Sequence, residues 1–184
     1  MTIDEIFSEL SAHMVKGLMI HDQMADYYDF LSLRGYKRAH EYHYKKEMCS
    51  YRRLHRYVIN HYGKLIEEKR IDNPETIPSS WYRYKRDEVD ASTKRTAVKT
   101  GIEKWVSWEK ETKALYQQAY SDLMAAKEEA AAIFIQEFVK DADCELKWAE
   151  RKAIELNSVD YSLAFIIGEQ TKLHDKYKGK MKKW

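Results

Sequence analysis

Residues 98–156, VKTGIEKWVSWEKETKALYQQAYSDLMAAKEEAAAIFIQEFVKDADCELKWAERKAIEL, decide the fold. Apolar residues recur in this stretch at steps of three and four, which is the spacing of one face of an α-helix. The two resulting stripes are Val98, Ile102, Trp105, Glu109, Thr112, Tyr116, Ala119 and Leu123, then Ala131, Ile135, Phe138, Ala142, Glu145, Ala149 and Leu156. Because only residues 125–128 separate them, we predict two long helices joined by a tight turn.

The same spacing precedes this stretch in the first third of the chain. It predicts helices over about 3–31 and 36–62, before a segment that contains both prolines and shows no sustained period. We therefore expect bundle helices at about 3–31, 36–62, 95–124 and 129–156, a long crossover, and a short C-terminal helix over about 160–177 that Asp160 caps. The face of the second helix that we expect to point inward carries Tyr44, Met48, Tyr51, His55, Val58 and Tyr62. The prediction is one all-α domain over residues 1–184.

Composition excludes several classes of protein. Six glycines and two prolines in 184 residues are too few for an all-β fold, and the longest apolar run, residues 130–135, is too short to span a membrane. An acidic N-terminus without a basic, then apolar leader predicts a cytoplasmic location. A net charge of +2 gives no general nucleic-acid surface, so only the basic tail from Lys172 to Trp184 is a candidate for phosphate contact. Neither Cys49 nor Cys144 belongs to a CxxC motif or a disulfide framework.

Two segments resemble a known family. Trp108-Glu109-Lys110-Glu111-Thr112 followed by Leu115 is similar to the third helix of ferritins, and residues 134–148 resemble the fourth helix of bacterioferritins. Two tightly joined helix pairs with one long crossover are also the connectivity of ferritin-like bundles. The resemblance, over residues 3–156, implies a ferritin-like four-helix bundle that forms homo-oligomers and has a role in iron oxidation or storage.

The resemblance also implies where a di-iron centre would lie. In the family, two helices each supply a glutamate and two each supply a Glu-x-x-His pair. The third-helix glutamate falls on Glu109, but the fourth-helix pair falls on Ala142 and Glu145, and the second-helix pair on Met48 and Tyr51. The first-helix glutamate has no counterpart near residues 14–16. A standard di-iron site is therefore not expected.

A reduced metal site remains a candidate. Facing residues of antiparallel helices keep a nearly constant sum of residue numbers, which places Glu109 level with Glu145 in one hairpin and Gly17 level with Tyr51 in the other. If the two hairpins align as in ferritins, the resemblance implies that Tyr51 and His55 share the layer of Glu109 and Glu145. His21 is the candidate from the first helix, with His13 as a further choice. Carboxylates, imidazoles and a phenol suit one divalent ion such as Fe, Mn or Zn.

The alternative is a polar core without any metal. Buried Glu, His and Tyr side chains can satisfy each other by hydrogen bonds, and Lys16 is then the candidate for the positive charge that a metal would supply. In that case the protein is a binding or assembly module that has lost the metal centre. His40 and His43 follow the first turn, and we expect both of them to face solvent.

Overall fold

The computed structural model describes residues 1–72, 74, 76–77 and 79–181, and among these the side chains of Ser79, Ser80 and Met181 are excluded. Five α-helices account for most of this part of the chain, and it contains no strand. Their bounds are α1 Ile3–Phe30, α2 Arg34–Tyr62, α3 Ala91–Ala125, α4 Glu129–Ser158 and α5 Leu163–Met181. The predicted all-α bundle with a fifth C-terminal helix is confirmed. None of the described helices is long and apolar enough to cross a bilayer.

The first hairpin joins α1 to α2 through a turn of three residues. A reciprocal capping box starts α1, since the Thr2 hydroxyl accepts from the Glu5 amide and the Glu5 carboxylate accepts from the Thr2 amide. At the turn, Ser32 takes a left-handed backbone conformation with φ of 61°. Gly63 ends α2 in the same conformation, and its amide donates to the Ile59 carbonyl.

The crossover lies between α2 and α3. It contains two 3-10 segments, Ser79–Arg83 and Arg86–Glu88. The next long helix begins earlier than predicted, at Ala91, because the Asp90 side chain accepts from the Thr93 amide and caps it there.

The second hairpin joins α3 to α4 through residues 126–128, with Lys127 in a left-handed conformation. Every position of the predicted α3 stripe is buried, and of the predicted α4 stripe only Glu145 remains partly exposed. For α3 and α4, the helical spacing alone therefore predicts which face packs into the bundle.

The C-terminal helix differs from the prediction at its start. Asp160 does not cap it; this residue has φ of 49° within the turn, and α5 begins only at Leu163. Its packing against α2 depends on Gly35, where an added Cβ would lie 1.8 Å from the backbone oxygen of Gln170. A glycine at this position therefore allows the two helix backbones to touch.

Two apolar clusters divide the bundle along its length. One lies near the α1–α2 turn and includes Tyr28 and Ile102, and the other lies near the α3–α4 turn and includes Phe7 and Phe138. Between them, the inner faces of α1 to α4 carry His, Glu and Lys side chains. This middle layer is the candidate functional site.

Candidate polar centre in the bundle

A small cavity of about 30 Å³ lies between α2, α3 and α4 in the middle layer. This is room for one or two water molecules. Its walls are His43, Lys46, Glu47, Ser50, Glu109, Thr112, Tyr116, Phe138, Asp141, Ala142 and Glu145. The structure thus brings Glu109 and Glu145 to the same cavity, together with two further acids, Glu47 and Asp141, and with Lys46.

Glu109 is the most deeply buried acid of this cavity, with 4% of its surface exposed. Its carboxylate accepts one hydrogen bond, from Nε1 of Trp105 at 2.8 Å, one turn earlier on α3. Burial raises the pKa of Glu109 to about 8, and the nearby carboxylates of Glu145 and Glu47 act in the same direction. The carboxyl group therefore keeps its proton at neutral pH.

Glu145 lies on α4 and has two partners on α2. Its Oε1 forms an ion pair with Nζ of Lys46, and its Oε2 lies 3.2 Å from Nδ1 of His43. Burial disfavours the ammonium charge of Lys46, but the Glu145 carboxylate outweighs this and raises the pKa of the lysine above its ordinary value. Lys46 is therefore held as a cation beside the carboxylate.

Glu47 is a further acid of the cavity wall, and it packs against position 17 of α1, where the chain has a glycine. Burial raises the pKa of Glu47 to about 7. A Cβ on Gly17 would lie 3.3 Å from Cδ of Glu47 and 2.9 Å from Cζ2 of Trp108. Since real Cβ atoms do not approach other atoms so closely, α1 has no room for a side chain here.

Three histidines form a buried group beside the cavity. Nδ1 of His21 lies 3.1 Å from Nδ1 of His40, and the rings of His21 and His43 are 5.4 Å apart. The prediction that His40 and His43 face solvent is wrong, since they are 1% and 4% exposed. Burial lowers the pKa of all three histidines well below the ordinary value, so they are neutral. Nε2 of His43 is buried without a hydrogen-bond partner.

Two predicted site residues lie elsewhere. The rings of Tyr51 and His55 contact each other on α2 at a tilt of 41°. Both side chains contact Glu68, the tyrosine hydroxyl at 2.9 Å and the imidazole at 3.2 Å. Ser11 closes this group at 3.0 Å from His55, so the group ties the start of the crossover to α1 and α2. The prediction that Tyr51 and His55 share a layer with Glu109 and Glu145 is therefore wrong.

The cationic residue was also predicted at the wrong position. Nζ of Lys16 lies 2.8 Å from Glu111 at the surface, and Nε2 of His13 lies 2.8 Å from the Thr112 hydroxyl. Neither side chain lines the cavity of Glu109 and Glu145. The positive charge of the centre comes instead from α2, through Lys46.

The residues of this centre do not fit a pair of metal ions. Position 17 of α1 has no room for a ligand side chain. Three residues from Glu47 and Glu145 along their helices stand Ser50 and Ala142, which supply neither an imidazole nor a carboxylate, and the amine of Lys46 already contacts Glu145. Over the part of the chain that the structure describes, no three His, Cys, Asp or Glu side chains form a group that could hold a metal ion. The donor set therefore differs from that of a two-metal carboxylate centre.

The arrangement of the helices defines a class of fold, the ferritin-like bundle. A humanized archaeal ferritin has the same fold with a TM-score of 0.78, at 15% sequence identity, over 94% of both chains. The open-pore ferritin of the hyperthermophilic archaeon Archaeoglobus fulgidus also gives 0.78, at 13% identity and 94% coverage of each chain. For the ferritin of the green alga Ulva pertusa the TM-score is 0.79 at 15% identity, over 94% of this chain and 83% of that one.

These similarities establish the fold and do not extend to sequence families. No protein-family model matches the chain, and no curated protein matches it. At identities of 13–15%, the ferritins show only how the backbone is arranged. The chemistry of the centre has to be inferred from the side chains of this chain.

Proposed function

We propose that this protein is a ferritin-like binding or assembly module in which an ammonium group, and no metal pair, neutralises the polar centre. One observation carries the proposal: Nζ of Lys46 forms an ion pair with Glu145 inside the cavity that Glu109 and Glu47 also line. An ion pair in a buried site is stable only when its remaining polar atoms have partners. Here His43 contacts the second oxygen of Glu145.

The charges of the centre support this proposal. Burial raises the pKa of Glu47 to about 7 and that of Glu109 to about 8, so below neutral pH both are mainly protonated. In the ion pair, the charge of Lys46 then offsets that of Glu145, and the remaining acid of the wall, Asp141, is exposed to solvent. The buried part of the centre therefore needs no added cation to be stable in the bundle.

Iron binding at Glu109 and Glu145, with His21, His55 and Tyr51 as further ligands, remains the competing prediction. The likeness to ferritins favours it. The separation of Tyr51 and His55 from the cavity and the amine of Lys46 oppose it, because a cation would have to displace the ammonium group from Glu145. It would also displace the protons of Glu47 and Glu109, so its binding would strengthen with rising pH.

Metal analysis of wild-type protein purified without chelator separates the two functions. We expect no stoichiometric Fe, Mn or Zn, and oxidation of added Fe²⁺ no faster than in buffer. One metal ion per chain in the wild type that is lost in Glu109→Ala would contradict the proposal. Lys46→Gln should cost about 2 kcal/mol of unfolding free energy, the usual worth of a hydrogen bond to a charged group. Lys140→Gln, an exposed change on α4, should cost nothing measurable.

We also propose that the chain forms homo-oligomers. Three aliphatic side chains are largely in solvent, Leu65 at 80%, Ile133 at 65% and Ile154 at 70% exposure. Such side chains are candidates for an interface between copies. Size-exclusion chromatography with light scattering should give a mass well above the 22.0 kDa of one chain. A mass of one chain at every concentration would exclude this part of the proposal.

A further inference from the structure

A groove of about 420 Å³ lies between α4 and α5, on the outside of the bundle. Its volume is in the range of pockets that bind small molecules. The apolar part of its wall includes Trp148, Phe165 and Leu173, and its basic part consists of Lys152, Lys172 and Lys176. Neither part belongs to the polar centre that Glu109 and Glu145 form.

The acidic side chains of the groove already have partners. Nζ of Lys152 lies 2.6 Å from a carboxylate oxygen of Glu155 and 2.6 Å from one of Glu169. The hydroxyl of Tyr36 donates a further hydrogen bond to Glu169, which is 6% exposed. Both carboxylates of the groove wall, Glu155 and Glu169, are therefore already paired.

The remaining lysines lie one above the other on α5. Lys172, Lys176 and Lys180 are spaced by four residues, and among the described residues none of the three has a carboxylate within 4.0 Å of its amine. Nζ of Lys176 lies instead 4.8 Å from the ring centre of Trp148 and 5.1 Å from that of Tyr177. Burial, then Lys180 and Lys152, lower the pKa of Lys176, and Glu145, which lies beyond ion-pair distance, offsets this only in part.

We propose that this groove binds a small molecule that carries a phosphate group next to a flat apolar ring, as in a mononucleotide. Lys172 and Lys176 bind the phosphate, and the wall formed by Trp148 and Phe165 packs against the ring. Gly168 leaves the α5 side of the groove open, since an added Cβ there would meet no atom within 4 Å. This site is independent of the proposed function of the polar centre.

Calorimetric titration of the full chain with AMP at low salt tests the site, with adenosine and inorganic phosphate as partial ligands. We expect AMP to bind more tightly than either part. Lys176→Gln should weaken AMP binding about tenfold, the worth of one charge-assisted hydrogen bond. A Cβ at Gly168 meets no atom within 4 Å, so Gly168→Leu places a side chain in the groove and should abolish binding while the helical circular dichroism is unchanged.

The matched control is Lys178→Gln, which removes the same charge from an exposed position of α5 that does not line the groove. It should leave the affinity for AMP within a factor of about two, since distant exposed charges are screened. Equal losses in Lys176→Gln and Lys178→Gln would show diffuse attraction by a basic helix and overturn the proposal. No binding of AMP at millimolar concentration would overturn it as well.

A last titration separates the groove from a nucleic-acid surface. The proposal would be overturned if a single-stranded oligonucleotide bound more tightly than AMP and had the same affinity for wild type and Gly168→Leu. That result would mean that the lysines bind the phosphates of a nucleic-acid strand. Competition in which AMP and the oligonucleotide displace each other, and which Gly168→Leu abolishes, would support it.

Discussion

Replacing Glu109 by glutamine tests whether the centre is as desolvated as the structure indicates. Glutamine has the shape of the protonated acid, and its side-chain oxygen can still accept the hydrogen bond from Nε1 of Trp105. The variant should therefore keep the packing of the centre but lose its titration. The property to compare is the pH dependence of the unfolding free energy, and not the stability at one pH.

The size of the effect follows from the pKa of the buried carboxyl group. Folding raises the pKa of Glu109 from 4.5 to about 8, so the folded state binds a proton that the unfolded state releases. Stability from this group is complete below pH 4.5 and is lost as the pH rises towards 8. Between pH 5 and pH 9, the wild type should lose roughly 4 kcal/mol that Glu109→Gln keeps, since each unit of pKa shift corresponds to about 1.4 kcal/mol.

Urea unfolding followed by circular dichroism, with EDTA present, measures this difference at pH 5, 7 and 9. Glu47 titrates in both proteins, so its contribution largely cancels in the comparison. Glu103→Gln is the matched control, because Glu103 is exposed on the same helix. Its free-energy difference from the wild type should not change with pH.

Two results would refute the reasoning. Parallel pH profiles of Glu109→Gln and the wild type, within about 0.5 kcal/mol, would mean that Glu109 titrates like a solvated acid, since surface substitutions stay within that range. A wild-type profile that flattens at high pH when EDTA is replaced by Fe²⁺ or Mn²⁺ would mean that a cation, and not a proton, neutralises the centre.

Three further predictions concern His40, Gly17 and Gly168. As the pH falls below 6.5, the unfolding free energy of His40→Gln should fall less steeply than that of the wild type, by up to about 1.4 kcal/mol per pH unit. The reason is that burial lowers the pKa of His40 in the folded state, so the unfolded wild type binds a proton that the folded one does not. Equal acid profiles of the two proteins would count against a buried neutral imidazole. Gly17→Ala should destabilise the bundle by about 1–3 kcal/mol through overpacking against Trp108. Gly168→Ala, in open space on α5, should stabilise it by about 0.5–1 kcal/mol through helix propensity, and urea unfolding of both variants checks the opposite signs.

The helices and their inner faces on α3 and α4 could be predicted from the sequence because burial there follows hydrophobicity. Trp105, Ile135 and their neighbours repeat with the helical period, and Glu109 stands out as an acid within that stripe. A tight turn then fixes the level of α4 relative to α3, which is why Glu145 could be placed beside Glu109. The convergence of these two residues needs no information beyond spacing and turn length.

The second helix could not be predicted in the same way. Its inner face carries His40, His43 and Glu47, while the aromatic residues Tyr51 and Tyr62 remain partly exposed. Polar residues on the buried side and aromatic residues towards the outside reverse the usual pattern, so hydrophobicity selects the wrong face. Contacts between helices determine the orientation of α2, and these are absent from a single helical stretch of sequence.

A metal site could not be created in this centre by one substitution, because the side chains of the centre pack against one another. Introducing a glutamate at Gly17 would supply an acid from α1, but its Cβ would already lie 2.9 Å from the Trp108 ring. Replacing Lys46 alone would leave Glu145 beside a neutral His43 and would not add a ligand. Because Gly17, Glu47 and Lys46 fit together as one packed unit, we expect each single substitution to cost stability without conferring stoichiometric iron binding.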